Sequence, residues 1–326
     1  MNEKDNEKEI KVELPFNNLF LNAGFINGDN SIGKYVSTIL ITVFAYFTYQ
    51  ILMLGILVYF AYQNGIDIMD TVTLQKVIMN PDALGISKNF MLALLLGMFA
   101  FTFWAFYLSV KKIHQKPFIS IITAYPHIRW SRFFFAFGVW TFFFLSMFLV
   151  DYLWISPDNY IFNFDAKKFT VLFIVSTLLL PIQSSFEELF FRGYLMQGLS
   201  LISKNGILPL LFTSLLFGMA HMSNPEAEEF GAAMMLPYYS LFGLFLGLLA
   251  LWNNGLELSM GIHVANNIMS SLLITSDSTV LQTDALFVVK HQNPLNDFVL
   301  WIFGAAFTLF VFQYKYKFKN HIQLLK

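Results

Sequence analysis

The sequence contains no cysteine, which excludes disulfides, thiolate metal sites and a cysteine nucleophile together. Charge is scarce, at 13% of residues, and 20 basic residues against 21 acidic ones leave no basic excess to hold nucleic acid. His-Glu-x-x-His, Gly-x-Ser-x-Gly and a Walker-type phosphate loop are all missing, which removes the zincin, serine-hydrolase and nucleotide-hydrolase readings. Internal repeats and low-complexity linkers are absent too. The polar leader Met1–Lys34 lacks the apolar stretch of a cleavable signal peptide, so it is expected to be a retained cytoplasmic tail. What fills the chain instead is apolar: 56% hydrophobic residues, 39 phenylalanines and a mean hydropathy of +0.58. Soluble domains are far less apolar than this.

A membrane-spanning helix needs roughly 20 mostly apolar residues. Candidate segments are Tyr35–Gln63, Asn89–Val110, Arg132–Leu153, Phe169–Ser185, Ile207–Met222, Ala233–Trp252, Leu258–Thr275 and Phe298–Tyr314. The expectation is an all-α polytopic membrane bundle of about eight helices in one domain, residues 35–314, followed by a short basic tail at 315–326. The fourth segment is hard to delimit, since apolar character continues to about Ser203, and Pro181 is expected to kink or break it. With eight spans, only Lys76, Lys88, Lys167, Lys168 and Lys290 fall on the side opposite the termini. The segment Lys111–Arg132 holds Lys111, Lys112, Lys116, Arg129 and Arg132 without an acid. Both termini are therefore expected to be cytoplasmic.

Three short motifs place ionisable residues where a bilayer should exclude them. Such residues normally face a partner or a wet cavity, because a charge at mid-membrane depth costs about 2.5–3.5 kcal/mol even on the lenient scale. In the first motif, Glu188 and Arg192 are four apart and share a helix face, whereas Glu187 is rotated about 100° away. This spacing pairs Glu188 with Arg192 and leaves Glu187 free as a general base for water; a structural ion pair locking two helices is the plain alternative. In the second, His221 closes the fifth span one turn after Phe217. Lys204 lies midway between Glu187 and His221, so antiparallel helical arms would bring those two residues level. In the third, His263 and Asn267 leave one face of the seventh span. They suit an oxyanion site, or His263 joins Glu187 and His221 around Zn²⁺, or the pair is an interhelical polar clasp. Asp151 and Glu257 read as interfacial residues at span ends, and Ser184, Ser185 and Ser214 as hydrogen-bonding helix residues. His114, His127, His291 and His321 fall in loops or the tail and receive no role.

Taken in order, Glu-Glu-x-x-x-Arg, Phe-x-x-x-His and His-x-x-x-Asn, with Asn224-Pro225-Glu226 just after the second, resemble the CAAX-protease and bacteriocin-processing family. These intramembrane endopeptidases, also called the Abi family, are related to the prenyl-protein CAAX endopeptidase of eukaryotes. The resemblance covers roughly Lys168 to Leu273 and shows no departure at the motif positions. It implies that Glu187 with His221 activates a water, that His263 and Asn267 steady the oxyanion, and that Glu188 and Arg192 are structural supports. The family is described as metal-dependent, yet the same residues support a metal-free glutamate mechanism, so a divalent metal such as zinc stays open. The implied substrate is a membrane-associated peptide or protein, and the expected location is the bacterial cytoplasmic membrane. Two competitors remain. One is a transporter using Glu, His and Arg as an ion relay, disfavoured because the motifs cluster and no inverted repeat is visible. The other is a non-catalytic peptide-binding scaffold.

Overall fold

The computed structural model describes residues 16, 18–26, 28–66 and 81–318. Expectations that fall on residues 1–15, 17, 27, 67–80 and 319–326, including Lys76, His321 and most of the basic tail, lie outside the described residues. Eleven helices organise the rest. They are α1 (Leu19–Ile26), α2 (Ile32–Gln63), α3 (Lys88–Lys112), α4 (Trp130–Val150), α5 (Ala166–Glu188), α6 (Met196–Ser203), α7 (Ile207–Ala220), α8 (Pro225–Phe230), α9 (Ala232–Asn253), α10 (Glu257–Leu273) and α11 (Pro294–Tyr316), with single turns at Pro81–Leu84, Ile119–Ile122 and Pro157–Asn159 besides. The protein is an all-α polytopic membrane bundle.

Every expected span is a helix, but six rather than eight are long and apolar enough to cross a membrane by length and composition. The two shortfalls are α7, with 14 residues, and α10, with 17. At 1.5 Å per residue they reach roughly 21 and 26 Å, short of the ~30 Å hydrocarbon core. Both carry motif residues: α10 is buried against α4 and α5, whereas α7 packs on α9 and leaves Leu208, Leu211, Phe212 and Leu215 exposed on its outer face.

The fourth segment is one continuous 38-residue helical stretch, Ala166–Ser203. Asp165 caps it by accepting from the Lys167 and Lys168 amides at 2.9 and 3.0 Å. Contrary to expectation, Pro181 does not break it; the helix runs through Pro181 and departs from α geometry only at Leu189–Leu195, which is π-helical. Such π segments concentrate at functional sites. Lys204, in the left-handed conformation with φ 52°, ends the stretch, and Asn205 Oδ1 accepts from Leu208 N at 2.8 Å to start α7.

The leader is not wholly a polar tail. Its apolar run at residues 19–26 folds as α1, with Phe20 and Leu21 fully buried against Phe106, Tyr194 and Leu251. Asn18 Nδ2 donates to Leu251 O at 2.9 Å, and Gln197 Nε2 donates to Phe20 O and Ser120 O at 3.0 and 2.9 Å. The two described chain ends meet at this end of the bundle: Leu19 N donates to Asn254 Oδ1 at 3.0 Å, and the Phe318 and Trp252 rings lie 6.2 Å apart. Glu257, expected to be interfacial, is here 1% exposed, held by the Arg129 guanidinium at 2.9 and 2.7 Å and by Asn253 Nδ2 at 2.8 Å.

The opposite end is closed by a small three-stranded sheet that hydropathy did not announce. Its strands β1 (Tyr160–Phe162), β2 (Ile274–Thr275) and β3 (Phe287–Val289) lie in the order β1-β3-β2. β1 pairs antiparallel with β3, Tyr160 opposite Val289, while β2 pairs parallel with it.

Candidate active site

The first and third motifs meet where α5 packs on α10. Glu188 and Arg192 form the expected pair, with Arg192 Nη1 to Glu188 Oε1 at 2.8 Å and both side chains essentially inaccessible. The guanidinium carbon also lies 4.1 Å from the Phe217 ring centroid, a cation–π contact that partly offsets its lost hydration. Gly243 on α9 clears space for it, since a Cβ there would sit 3.1 Å from Arg192 Nη2.

His263 reaches the same carboxylate. Its Nδ1 donates to Glu188 Oε1 at 2.8 Å, and its Nε2 lies 3.5 Å from Glu187 Oε2. A paired carboxylate only accepts, so Nδ1 carries the proton and Nε2 is the nitrogen turned toward Glu187. The adjacent glutamates are thus used differently. Glu188 is tied to Arg192 and His263, whereas Glu187, 8% exposed, has its buried Oε2 without a hydrogen-bond partner.

His221 caps the C-terminal end of α7, which the sharp Lys204 turn folds back alongside α6 and the π-helical segment Leu189–Leu195. Its Nδ1 donates to Phe217 O at 2.7 Å, leaving Nε2 free to accept. The ring is held between Phe217 and Tyr239, each with a centroid distance of 4.4 Å. Phe217 also stands 6.1 Å from the His263 ring, so it separates the two imidazoles. Glu187, His263 and Arg192 are all within electrostatic reach of His221.

Asn267 is occupied by a network that the motifs did not reveal. Its Nδ2 donates to Gln183 Oε1 at 2.9 Å and Ser184 Oγ at 3.1 Å, using both amide protons. Asn266 Nδ2 donates to Asn267 Oδ1 at 3.2 Å, and Trp140 Nε1 to Asn266 Oδ1 at 3.2 Å. Gln183 and Ser184 stand one helical turn before Glu187, so the i−4 and i−3 spacing was a usable signal for them. Trp140 and Tyr239 come from helices that no motif touches.

The candidate zinc set of Glu187, His221 and His263 does not form a donor cluster. Among the described residues, no group of three or more His, Cys, Asp or Glu side chains is disposed to hold a metal ion. As arranged, the three side chains are not a preformed donor set, although both Nδ1 atoms are bonded to protein acceptors and both Nε2 atoms stay open to a ligand.

This geometry holds a polarised carboxylate, two oriented imidazoles and a carboxamide inside an apolar bundle, the inventory of a membrane-embedded hydrolase. Residues 166–269 match the family model for type II CAAX prenyl endopeptidases of the Rce1-like kind, a segment that contains all three motifs. The match therefore extends beyond the motif positions to the residues between them. It is also 34% identical over 191 residues to the uncharacterized protein YyaK of Bacillus subtilis (strain 168). That match takes in 58% of this chain and 63% of YyaK, so the chain spans less than two thirds of that relative. No solved structure matches.

Proposed function

We propose that the chain is an intramembrane endopeptidase of CAAX-protease type, cleaving a membrane-associated peptide or protein with an activated water. The observation that carries this reading is the contrast between the two glutamates: Glu188 Oε1 is shared by Arg192 Nη1 and His263 Nδ1, leaving its Oε2 unbonded, while the buried Glu187 Oε2 has no hydrogen-bond partner and lies 3.5 Å from His263 Nε2. An unsatisfied buried carboxylate is costly, and such an arrangement persists where it has chemistry to do.

Glu187, assisted by the free His221 Nε2, removes a proton from water as its oxygen attacks the scissile carbonyl carbon. The carbonyl π electrons move onto oxygen. His263 steadies that oxyanion through Nε2 when doubly protonated, its ring aimed by Glu188. Asn267 contributes when a substrate carbonyl displaces Gln183 or Ser184 from its amide. Collapse of the tetrahedral intermediate breaks the C–N bond, and Glu187 returns the proton to the leaving amine, giving an amine and a carboxylic acid that releases its remaining proton to water. A positioned base of this kind supplies about 10²–10⁴-fold. Arg192 and Phe217 act by holding Glu188 and the two histidines in register.

On this reading the protein sits in a bacterial cytoplasmic membrane with both termini cytoplasmic, which the acid-free basic segment from Lys111 to Arg132 supports. The test compares peptide termini by mass spectrometry in host membranes carrying wild type or Glu187→Gln at equal expression. Termini found only with wild type support the reading. Identical termini, with both proteins folded and the host phenotype unchanged by the substitution, would favour the scaffold.

A further inference from the structure

Beyond Asn266 the bundle opens into a cleft of about 270 Å³, bounded by α4, the first turn of α11, Tyr238 of α9 and the small sheet. Asn266 lines this cleft and also donates to Asn267, so its wall is continuous with the candidate active site. A second connection runs through rings. Trp301 in the wall lies 6.1 Å from Phe242, which meets the His263 ring edge-on at 5.4 Å.

The chemistry of the wall is one-sided. Asp151 and Asp297 both line it, each close enough to feel the other's charge. Asp151 accepts the Tyr160 hydroxyl. Among the described residues, neither carboxylate has a Lys, Arg or His ion-pair partner. Lys290, next to the lining residue His291, is turned away and donates to Asp158 O at 2.6 Å. Aromatic faces complete the wall: Tyr238 and Trp301 have centroids 6.2 Å apart, and the buried Trp301 Nε1 has no acceptor. The position of Asp297 in the first turn of α11 is favourable to a carboxylate by itself. That accounts for neither Asp151, nor the aromatic box, nor the link to Asn267.

Carboxylates without counter-ions, set among aromatic faces in a concave site, are the complement of an organic cation. We propose that this cleft is a specificity subsite that takes a lysine or arginine side chain of the peptide whose scissile bond reaches Glu187. The proposal rests on the peptidase reading. Asp151 and Asp297 supply the charge, Tyr238 and Trp301 the faces, and Asn266 links the occupied cleft to the Asn267 amide.

The test uses full-length protein in a nonionic detergent, which removes lipid headgroups as competing cations. Its probes are two N-acylated fluorescent octapeptides identical except for three lysines in one and three glutamines in the other. Binding is measured on Glu187→Gln protein, so that no probe is consumed. The lysine peptide should bind roughly tenfold more tightly or better at low salt, a difference of about 1.4 kcal/mol. Adding Asp151→Asn and Asp297→Asn should abolish that ratio, and Asp297→Lys should shift preference toward a glutamate counterpart. Equal binding of both probes, or a lysine preference that survives the aspartate substitutions, would overturn the subsite. Cleavage is scored separately with protein that retains Glu187. Cleavage without a lysine preference overturns the subsite and leaves the peptidase reading standing; lysine-selective binding without cleavage does the reverse.

Discussion

The long helices α2 and α9 are almost equally apolar, yet α2 and the α9–α10 pair do opposite work. In α2, 11% of the apolar window is buried, and Phe44, Leu40 and Ile51 are 73%, 63% and 70% exposed. In α9 the corresponding share is 50%, and α10 buries 11 of its 17 residues, His263 and Glu257 among them. A lipid-facing helix needs length and apolarity and little else, whereas a helix lined with polar groups needs partners for each of them. The contrast teaches that chemistry in this molecule is held where helices bury polar groups against one another, on short α10 and on the 38-residue stretch that carries Glu187, Glu188 and Arg192, while α2 is left mostly exposed.

The largest expected effect strikes the inner set. Arg192→Met leaves Glu188 buried without its arginine and should cost about 3–5 kcal/mol, read as a large fall in thermal unfolding temperature in detergent. A shift of less than a degree or two would show that the pair is dispensable.

Next comes a buried cation between the two sets. Lys116, in the loop after α3, is 3% exposed, and burial pushes its ammonium down to about 8 from the ordinary 10.5. The folded state therefore releases this proton before the unfolded one does. Between about pH 8 and 10.5 the unfolded chain holds more protons, so stability should rise with pH by up to ~3 kcal/mol. Lys116→Met should remove that rise and stabilise the protein near neutrality. Parallel stability–pH curves for wild type and variant would contradict it.

Glycines sharpen the contrast further. A Cβ on Gly261 of α10 would meet Phe133 O at 2.3 Å and Ala136 Cβ at 2.9 Å, whereas one on Gly55 of α2 would meet nothing within 4 Å. Gly261→Ala should cost about 1–3 kcal/mol through overpacking against α4. Gly55→Ala should instead stabilise by about 0.5–1 kcal/mol through helix propensity. The same sign for both would break the comparison. Smallest of all, Phe44→Leu on the lipid-facing side of α2 should stay within about 0.5 kcal/mol of wild type in thermal unfolding.

Much of this was legible from the residues. Apolar runs located all eight principal helices, and the continuation to Ser203 followed from composition alone. The i,i+4 spacing of Glu188 and Arg192 foretold their 2.8 Å contact. What escaped had physical reasons. Helix α1 is only 8 residues long, and its apolar core sits in a polar leader, so a window sized for membrane spans averages it away. The β strands are two or three residues each, too short for alternation to register. Helix α10 falls short of a bilayer because a helix buried among others need not span it, and α7 is cut to 14 residues by the Lys204 turn and His221. The engagement of Asn267 by Gln183 and Ser184 depends on the rotation of α5 against α10, a tertiary fact that spacing within one helix does not encode.

The central claim is that two adjacent glutamates divide structure from chemistry. The most direct measurement is a paired one on Glu187→Gln and Glu188→Gln, recording thermal unfolding and the production of new peptide termini in the same membranes. Glu187→Gln should keep wild-type unfolding and lose cleavage by about 10²-fold or more. Glu188→Gln should unfold at a clearly lower temperature, because the carboxamide keeps an accepting oxygen but removes the negative charge that holds the buried Arg192. Cleavage retained by Glu187→Gln, or matching losses of stability in both variants, would contradict that division.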